Sequence, residues 1–356
     1  MVFDVPAEDG GALSVLNDFY NEVSNINDKN SNWIFVISKP TLNETENIKV
    51  LRFPWIKKSW AHRYFFDQFV APKLVKKHKV DKVFSLQNVT IPHLNCEQIL
   101  YVHQSLPFVE YKFSFTENKL FWIYQNIIGK KIIHSIKSAQ KVIVQTEWMK
   151  AACLEKTMVN EEKIKVVPPK INIEIEKFFS ESEKNLSTFF YPAGASYYKN
   201  HRIIVEACRE LKKKEINGYK VFFTLKGNEN THIADLYKIV QEMQLPIYFI
   251  GSISRAQVFD FYTKSILLFP SYIETFGLPL LESKLHKGMI LTADTPFSHE
   301  VLDVYPNAYF FDAFNSIALA RLMKQIFDGE ISYREASILK QESKENLKEY
   351  ALTDQL

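Results

Sequence analysis

Two glutamates, Glu274 and Glu282, stand on either side of a short segment that contains glycine and proline. An apolar run that ends at Phe269 predicts a buried strand before the first of them, and Pro279 suits the first turn of a helix. Backbone N–H groups between the two carboxylates would then lie at a helix N-terminus, which is a favourable site for an anion. Two carboxylates beside an anion site suit a ligand with hydroxyl groups at both ends and phosphate between them, as in a nucleotide-sugar.

The segment Pro270–Glu282 reads Pro-Ser-Tyr-Ile-Glu-Thr-Phe-Gly-Leu-Pro-Leu-Leu-Glu and resembles the signature of the retaining GT-B glycosyltransferases of family 4. The family's usual pattern continues with alanine, where this chain has Ser283. The alternative interpretation is an ordinary strand-to-helix turn with two exposed acids. The length and order of the match, above all in Phe276-Gly277-Leu278-Pro279, favour the functional interpretation.

The resemblance implies a role for each part of this motif. Glu274 would bind hydroxyl groups of the transferred sugar, and Glu282 would bind the ribose hydroxyl groups. The backbone amides of Phe276, Gly277 and Leu278 would hold the diphosphate. The implied reaction is front-face transfer, in which the departing phosphate helps to deprotonate the acceptor. The chain has no Asp-x-Asp sequence, so we expect metal-independent chemistry, with no metal site and no cofactor besides the nucleoside-diphosphate-sugar.

Glycines at three other predicted strand ends are further candidates for contacts with the nucleotide-sugar. Gly10 and Gly11 follow the first strand, where glycine permits positive φ and leaves backbone amides bare near a phosphate. Gly227 and Gly251 resemble family turns, the second of which receives the nucleotide base through the backbone. The turn at Gly227 lacks the family's second glycine. If the backbone receives the base, the side chains in the sequence do not indicate which base is bound.

Lys199 is the predicted catalytic cation. The family usually places an arginine and, about five residues later, a lysine, and both face the diphosphate. Lys199 matches the lysine, but Gly194 stands near the place of the arginine. We expect backbone amides near Gly194, or another side chain such as Arg202, to replace the missing charge. The alternative for Lys199 is a solvated loop lysine.

His103 ends a predicted strand in the first half of the chain. A lone histidine at a strand end is most often structural or solvated. Family members often carry a histidine here that contacts the transferred sugar, so the resemblance implies that His103 is a catalytic residue that forms hydrogen bonds rather than a general base. Its neighbour Gln104 is a weaker candidate.

Short apolar runs alternate with helical patterns along the whole chain, which predicts an α/β protein with parallel sheets and helices on both faces. The predicted strands are Val2–Val5, Trp33–Ile37, Ile48–Phe53, Lys82–Leu86, Gln98–Val102, Lys141–Gln145, Phe189–Tyr191, Val221–Leu225, Ile247–Ile250, Ile266–Phe269, Met289–Thr292 and Ala308–Phe311. The clearest predicted helices are Ala12–Val23, Ile203–Lys213, Ile233–Met243, Arg255–Thr263 and Ile317–Phe327.

The 356 residues are enough for two domains of ordinary size. The resemblance implies the GT-B fold, with two Rossmann-like domains that face each other across a cleft. We predict an acceptor-side domain over 1–168, a linker over 169–186 and a nucleotide-sugar-binding domain over 187–335, because Pro168-Pro169 interrupts the regular pattern. We also predict a C-terminal helix over 336–356, an element that in this family commonly crosses back to the first domain.

Composition limits the possible partners and compartments. A net charge of only +3 does not indicate that the protein binds a polyanion. We therefore expect no nucleic-acid partner. The three cysteines lack paired metal spacing and indicate free thiols in a reducing compartment. No apolar run approaches the ~20 residues of a membrane span, and the N-terminus does not resemble a signal peptide. We therefore expect a protein of the cytoplasm or of the cytosolic face of the membrane.

Residues 52–82 and 111–137 combine many aromatic side chains with many lysines and arginines. One interpretation is peripheral contact with an anionic membrane, because aromatic rings prefer the headgroup level and each nearby cation adds about 1 kcal/mol. The other is a pair of helices with aromatic residues in the core and lysines in solvent. The sequence leaves both interpretations open.

Together these features predict a retaining glycosyltransferase that moves a hexosyl or deoxyhexosyl group from a nucleoside-diphosphate-sugar. The expected acceptor is a hydroxyl of a saccharide or lipid-linked saccharide, in surface polysaccharide biosynthesis. The missing arginine and the incomplete turn at Gly227 keep open a second hypothesis, a catalytically degenerate GT-B protein that acts as a binding or scaffolding subunit. A third is a nucleotide-sugar epimerase of the same fold.

Overall fold

The computed structural model describes residues 1–8, 10–26, 31–169, 175–335 and 351–356. The chain forms two compact units, one of Met1–Ile171 with Ser343–Leu356 and the other of Asn172–Glu342. Each unit contains one parallel β-sheet flanked by helices. Among the described residues, no helix is both long enough and apolar enough to span a bilayer.

The first unit is built on a parallel sheet of seven strands. The strands are β1 Val2–Asp4, β2 Trp33–Ile37, β3 Ile48–Arg52, β4 Lys82–Ser85, β5 Glu97–Val102, β6 Lys141–Val144 and β7 Ile164–Val166. Their order in the sheet is β3-β2-β1-β4-β5-β6-β7, so the direction of winding reverses between β1 and β4. In open sheets of this kind the reversal marks the preferred place for a ligand, at the carboxyl ends of the strands.

Two helical segments of the first unit contain a π turn. The α-helices of this unit are α1 Gly10–Asn25, α2 Trp60–Phe65, α3 Ala71–Lys77, α4 Lys119–Ile123, α5 Gly129–Ser138 and α6 Glu147–Thr157. The π turn Phe66–Val70 joins α2 to α3, and the π turn Tyr124–Ile128 joins α4 to α5. Short 3-10 turns cover Pro54–Lys58 and Glu161–Lys163.

Successive side chains of β1 enter the apolar cores on the two faces of the first sheet. Val2 packs with Phe19 of α1, whereas Phe3 packs with Phe66 of the π turn. This alternation is the ordinary consequence of strand geometry and shows that both faces of the sheet are covered. All five tryptophans of the chain belong to this unit: Trp33, Trp55, Trp60, Trp122 and Trp148.

The last described residues pack onto the first unit. Leu352 begins the 3-10 turn Leu352–Gln355 and packs in the same apolar core as α1. The Thr353 amide donates to the Glu22 carboxylate at 3.3 Å, and Lys141 Nζ donates to the Gln355 carbonyl at 2.6 Å. A C-terminal helix was predicted over 336–356. Positions 336–350 of it lie outside the described residues.

The second unit is built on a parallel sheet of six strands. The strands are β8 Thr188–Tyr191, β9 Lys220–Phe223, β10 Ile247–Phe249, β11 Ile266–Phe269, β12 Ile290–Ala293 and β13 Ala308–Phe311. The order is β10-β9-β8-β11-β12-β13, so the winding reverses between β8 and β11. Every residue of β11 and β12 is buried, as expected for the centre of a sheet that is covered on both faces.

The helices of the second unit are α7 Glu183–Leu186, α8 His201–Lys213, α9 Thr231–Glu242, α10 Arg255–Tyr262, α11 Leu278–Leu285, α12 Pro296–Leu302 and α13 Ser316–Phe327. Aromatic rings hold α10 on the sheet, because Phe190 of β8 stacks on Phe261 with 4.3 Å between ring centroids. Polar side chains begin several of these helices. Ser254 forms a capping box with Gln257 at the start of α10, and Asn230 caps α9.

The twelve predicted strands and the five predicted helices are confirmed within about two residues at each end, a normal uncertainty for element boundaries. The strand β7 was not predicted, because the apolar run Ile164–Val167 was interpreted only as the approach to Pro168-Pro169. Residues 170–174 of the predicted linker lie outside the described residues. The rest of that segment ends in the short helix α7.

Candidate functional site

The winding reversal of the second sheet brings together two loops that are distant in sequence. One loop follows β8 and ends in a 3-10 turn at Lys199, and the other follows β11 and carries Glu274. Because β8 and β11 are parallel neighbours, both loops leave the same edge of the sheet. The Asn200 side chain donates to the Ala313 carbonyl at 2.7 Å and to the Pro270 carbonyl at 3.4 Å, which ties the two loops together.

Lys199 and Glu274 form an ion pair at this edge, and both also form hydrogen bonds. The Ser271 hydroxyl donates to the same Glu274 oxygen at 2.7 Å, and the Tyr191 hydroxyl donates to the Lys199 carbonyl at 2.6 Å. The side chains of Lys199 and Glu274 are only 22% and 17% exposed. Two of the three predicted catalytic residues therefore lie in direct contact, although 75 positions separate them in sequence.

Lys199 is a cation at neutral pH. Burial lowers the pKa of its ammonium group, but the Glu274 carboxylate and Tyr198 raise that pKa by more, so the net shift is upward. The neighbouring Tyr191 stays protonated, because burial and the Glu274 charge raise its pKa well above the usual range. The edge thus holds one positive and one negative group with hydroxyl groups beside them.

Helix α11 begins next to this pair. Gly277 precedes it with φ +89°, and a Cβ atom there would lie 3.1 Å from a methyl of Leu280, so glycine fits both the conformation and the space. Gly277 is buried, and Phe276 and Leu278 are half-buried. The first amides of the helix lack intrahelical partners by geometry, so this start can receive an anion.

Glu282 lies inside α11 and is almost fully buried. The Tyr262 hydroxyl donates to Oε2 at 3.0 Å, and an Arg255 Nη2 donates to Oε1 at 3.3 Å. Burial raises the pKa of the Glu282 carboxyl, although the Tyr262 hydrogen bond and the Arg255 charge oppose the rise. Each carboxylate oxygen has a second lone pair, which leaves acceptor capacity for ligand hydroxyl groups.

The predicted glycines fall into two groups. An added Cβ would meet no atom within 4 Å at Gly10, Gly11 or Gly194, so the backbone is open there. At Gly227, where φ is +96°, it would lie 2.4 Å from the Tyr237 ring. Gly251 has φ +72° and contacts the Lys226 side chain at 3.5 Å. Gly227 thus has a structural reason to be glycine, and so has Gly10 through its φ of +56°, whereas Gly11 and Gly194 have none among the described residues.

His103 belongs to the first unit, at the end of β5. Its amide donates to the Asn88 side chain at 2.7 Å, and its Nε2 is buried without a partner among the described residues. Burial lowers the pKa of the imidazole to about 4, against an opposing hydrogen bond to the Leu86 backbone, so His103 is neutral at pH 7. Its predicted neighbour Gln104 accepts a hydrogen bond from the Leu106 amide at 3.2 Å.

Two arginines of the second unit are candidates to replace the family's missing arginine. The predicted substitute Arg202 is half-exposed and stands 3.8 Å from Glu206 on its own helix. Arg255, which was not among the predicted site residues, contacts Glu282 instead. Tyr262 was missed as well, and no sequence pattern signals either residue. Ser271 lies inside the quoted motif and was not singled out, although its place next to the first glutamate was a usable signal.

The two basic and aromatic stretches form one surface of the first unit. The rings of Trp60 and Tyr124 contact each other at 6.3 Å between centroids, and Lys131 forms an ion pair with Asp67 at 2.9 Å. Some aromatic side chains are core, such as Phe66. We call the exposed apolar members the aromatic patch: Trp60, Tyr64, Phe65, Phe69, Phe115, Leu120 and Ile127. These helices therefore carry aromatic side chains both in the core and in solvent, and membrane contact stays a prediction.

Comparison with known proteins gives a consistent result. Residues 172–352, just over half of the chain, match the family described as Glycosyl transferases group 1. The O-antigen chain mannosyltransferase RfbU of Salmonella typhimurium is 25% identical over 243 residues, which cover 67% of this chain and 64% of that protein. The match thus spans less than two thirds of that relative's length.

Two solved structures share the fold. Anabaena HepE in complex with UDP and glucose has a TM-score of 0.63 at 14% identity, over 92% of this chain and 90% of that one. The lipopolysaccharide outer core galactosyltransferase WaaB, in its apo form, has a TM-score of 0.63 at 15% identity, over 94% and 91%. The two parallel sheets therefore match the GT-B fold. The chain belongs to the glycosyl transferases group 1 family.

Proposed function

We propose that this protein is a retaining glycosyltransferase that moves a sugar from a nucleoside-diphosphate-sugar to a hydroxyl group of a saccharide or lipid-linked saccharide. The observation that carries the proposal is the Lys199–Glu274 ion pair, with Ser271 on the same carboxylate, beside the start of α11. A cation, an acceptor of hydroxyl groups and an open helix start stand together at the place where an open α/β sheet binds ligands.

In the proposed reaction the bond from the anomeric carbon to the diphosphate oxygen breaks, and a bond from that carbon to the acceptor oxygen forms on the same face. The acceptor proton passes to the departing phosphate oxygen. Lys199 and the amides of Phe276–Leu278 stabilise the negative charge that develops on the diphosphate, and preorganised groups of this kind are usually the largest contribution to a rate.

The ion pair keeps both groups in place before a ligand binds. Glu274 keeps lone pairs for hydroxyl groups of the transferred sugar, and Lys199 has three N–H donors, of which Glu274 needs one. A bound diphosphate can therefore share the lysine without breaking the pair. Glu282 receives the ribose hydroxyl groups in the proposed pose, with Tyr262 and Arg255 fixing the orientation of its carboxylate.

The names of the relatives support hexosyl transfer in surface polysaccharide biosynthesis. RfbU is an O-antigen chain mannosyltransferase, and WaaB is a lipopolysaccharide outer core galactosyltransferase. Both names describe a hexose added to a cell-surface saccharide. We extend that substrate class, and not the particular sugar, to this chain.

Peripheral membrane contact is part of the proposal, because a lipid-linked acceptor lies at a membrane. The aromatic patch is well exposed, with Trp60 at 61% and Phe69 at 52%, and Lys58, Lys119 and Lys130 are exposed in the same segments. Exposed rings among cations are typical of a surface that binds anionic lipid. Phosphatidylglycerol vesicles should sediment the protein, and phosphatidylcholine vesicles should not. Trp60→Ser should weaken sedimentation, and Ile317→Ser, which changes an exposed apolar residue of the second unit, should not.

The test of the enzymatic proposal starts with thermal unfolding of the purified chain against UDP, GDP, ADP, CMP and dTDP. A ligand at a hundredfold its Kd adds about 2.7 kcal/mol to the free energy of unfolding. The nucleotide that stabilises the protein selects the sugar conjugates for a transfer assay with saccharide acceptors, whose products are identified by mass spectrometry.

Two variants separate the hypotheses. Glu282→Ala should abolish the nucleotide-dependent stabilisation, whereas Glu206→Gln, at an exposed helical pair, should keep it. A new glycosidic product supports the transferase, and an altered nucleotide-sugar without acceptor supports an epimerase. Nucleotide binding with no product of either kind would support the scaffolding subunit and contradict the proposal.

A further inference from the structure

Asn200 connects three loops at the carboxyl edge of the second sheet. Its side-chain amide donates to the Ala313 carbonyl at 2.7 Å and to the Pro270 carbonyl at 3.4 Å. Asn200 ends the turn after β8, Pro270 follows β11, and Ala313 lies in the loop after β13. In the order β8-β11-β12-β13, three strand spacings of about 4.8 Å separate β8 from β13. One amide group therefore joins loops that leave distant strands of the sheet.

The backbone conformation of Asn200 turns its side chain to these loops and not to the helix that follows. An asparagine just before a helix usually accepts a hydrogen bond from the first turn of that helix. Asn230 and Asn315 do so before α9 and α13. Asn200 precedes α8 with φ +58° and ψ +39°, and its side chain does not cap that helix, which is described over its whole length. Asparagine tolerates this left-handed conformation better than most residues other than glycine.

The turn that Asn200 ends also carries Lys199, the cation of the proposed site. The Lys199 carbonyl accepts a hydrogen bond from the Tyr191 hydroxyl at the end of β8. The Tyr198 carbonyl accepts from the Tyr272 amide at 3.3 Å, which links this turn to the loop of Glu274. The Asn200 side chain adds the link to the loop after β13. The backbone is thus held at Lys199 and on both sides of it.

The loop after β13 has a second contact with the loop of Glu274. The Phe314 ring contacts the Tyr272 ring at 5.1 Å between centroids. The Phe314 amide donates to the Asp312 side chain at 2.8 Å, so a local hydrogen bond also orders the loop. Because the ring contact does not depend on Asn200, loss of the amide should loosen the three loops without separating them.

A lysine that is held in place contributes more to the reaction rate than a mobile one. In the proposed reaction, negative charge develops on the diphosphate while its bond to the sugar breaks, and Lys199 stabilises that charge. A preorganised cation needs no rearrangement at that moment. Since lysine has a flexible four-carbon stem, its ammonium group is fixed only when its backbone and its partner Glu274 are both held. A displacement of about 1 Å can lower a rate roughly 10²-fold.

We propose that Asn200 is a positioning residue for the transfer reaction. Its side-chain amide fastens the loops of Lys199 and Glu274 to the loop after β13 and so keeps the ion pair in one geometry. Asn200 has this role within the proposed function, on which the inference rests. Its contribution to the rate passes through Lys199, and no contact between Asn200 and the nucleotide-sugar is required.

The first variant removes the amide and keeps the backbone. Glycine adopts a φ of +58° without strain, so Asn200→Gly retains the turn. We expect kcat for transfer to fall about tenfold to thirtyfold, and KM for the nucleotide-sugar to change by less than about threefold. Asn200→Asp should lower kcat at least as far, because a carboxylate donates no hydrogen bond to either carbonyl.

Asn185 offers a matched structural control. Its Nδ2 also donates two hydrogen bonds, to the Ser180 carbonyl at 2.7 Å and to the Ser180 hydroxyl at 3.2 Å. Asn185 lies in α7 before β8, whereas Lys199 follows that strand. Asn185→Ala should lower Tm and leave kcat within about twofold of the parent. A loss of kcat that came only from general destabilisation would appear in both variants.

Two further measurements test whether Asn200 acts through Lys199. In the Lys199→Ala chain, the addition of Asn200→Gly should change kcat by less than about twofold, because the lysine that it positions is absent. The coupling free energy between Lys199 and Glu274, obtained by chemical denaturation of a double-mutant cycle, should fall by about half or more in the Asn200→Gly chain. The coupling measurement needs no activity and therefore does not depend on the proposed function.

Three outcomes would overturn the inference. One is a kcat of Asn200→Gly equal to that of the parent, and another is an equal loss of kcat with and without Lys199. The third is a Lys199–Glu274 coupling that is the same in the parent and in Asn200→Gly. A parent chain without transfer activity, in which the coupling still depends on Asn200, would contradict the proposed function and support the fastening of the ion pair by Asn200.

Discussion

The acidic side chains at the carboxyl edges of the two sheets are held in different ways. At the second sheet, Glu274 contacts Lys199 and Ser271, and Glu282 contacts Tyr262 and Arg255. At the first sheet, the polar atoms of Asp4, Ser38 and Gln87 have no partner within the described chain. The two edges occupy equivalent places, each at a winding reversal, so the fold alone does not explain the difference.

The difference follows from charge. A buried ion that loses its partner costs about 3–5 kcal/mol, so an edge that handles a charged ligand needs its ions paired in advance. An unpaired neutral group costs about 1–3 kcal/mol, which a fold can tolerate for a few atoms. Ions that are paired in advance therefore suit the diphosphate of the proposed reaction. The predictions below test each half of this comparison, from the largest expected effect to the smallest.

Glu274→Ala should have the largest effect, because it removes the ion pair with Lys199 and the hydrogen bond from Ser271. We expect the transfer rate to fall about 10²–10³-fold, the usual cost of one preorganised electrostatic contact.

A double-mutant cycle with Lys199→Ala, measured by chemical denaturation, should give a coupling free energy of about 1–3 kcal/mol. Simple additivity of the two single changes would show that the pair contributes nothing. The exposed Arg202–Glu206 pair is the control and should give at most about 0.5 kcal/mol.

Gly227→Ala should destabilise the second unit without touching a charged group. The new Cβ would press on Tyr237, whose ring is packed against Phe249 at 5.0 Å, and positive φ adds strain. Overpacking of this kind costs about 1–3 kcal/mol, measured as the free energy of unfolding. Gly194→Ala is the matched control, because the space there is open, and it should stay within about 0.5 kcal/mol. Equal losses in both variants would contradict this division of the glycines.

Tyr262→Phe should test whether Glu282 is ionised in the folded protein. The change leaves a buried carboxyl oxygen without its 3.0 Å hydrogen bond and should cost about 1–3 kcal/mol. Tyr305→Phe removes a buried hydrogen bond of 2.8 Å to the Gly288 carbonyl and serves as the neutral control. Hydrogen bonds to charged groups are roughly twice as strong, so Tyr262→Phe should cost more. The same loss in both variants would indicate a neutral Glu282.

Asp4→Asn should have a modest effect that grows with pH. The folded chain holds Asp4 protonated above the pH at which the unfolded chain ionises it, because its folded pKa is raised. The unfolded state then binds fewer protons, so the parent loses stability relative to the variant as pH rises from about 4 toward the folded pKa. The slope for one proton is at most about 1.4 kcal/mol per pH unit.

Thermal unfolding at a series of pH values measures this difference. Ser38→Ala introduces no titratable group, and its difference from the parent should not depend on pH. A constant difference between Asp4→Asn and the parent would mean that Asp4 is ionised and paired in the folded protein. That result would contradict the description of Asp4 as an unpaired carboxyl group in the first unit.

The sequence was sufficient for the elements and for part of the site. Trp33–Ile37 and Ile266–Phe269 are continuous apolar runs, and buried parallel strands have that pattern, so their bounds were predicted to the residue. Glu274 and Glu282 were found because the motif around them is local. Local patterns depend on neighbouring residues and can be read without knowledge of packing.

Contacts between distant segments could not be predicted in the same way. The pairing of Lys199 with Glu274 depends on β8 and β11 being neighbours, and the sequence lists β9 and β10 between them. The contacts of Arg255 and Tyr262 with Glu282 depend on how α10 lies beside α11. The unpaired state of Asp4 and Gln87 is a property of everything around them, so no single stretch of sequence carries that information.

The uneven placement of tryptophan makes the two units optically distinct. Because all five indoles lie in the first unit, emission excited in the indole band reports on that unit, whereas far-ultraviolet circular dichroism reports on the helices of both. Denaturation curves from the two probes coincide only if the units unfold together. A single unlabelled sample can therefore show whether the two units unfold as one cooperative body.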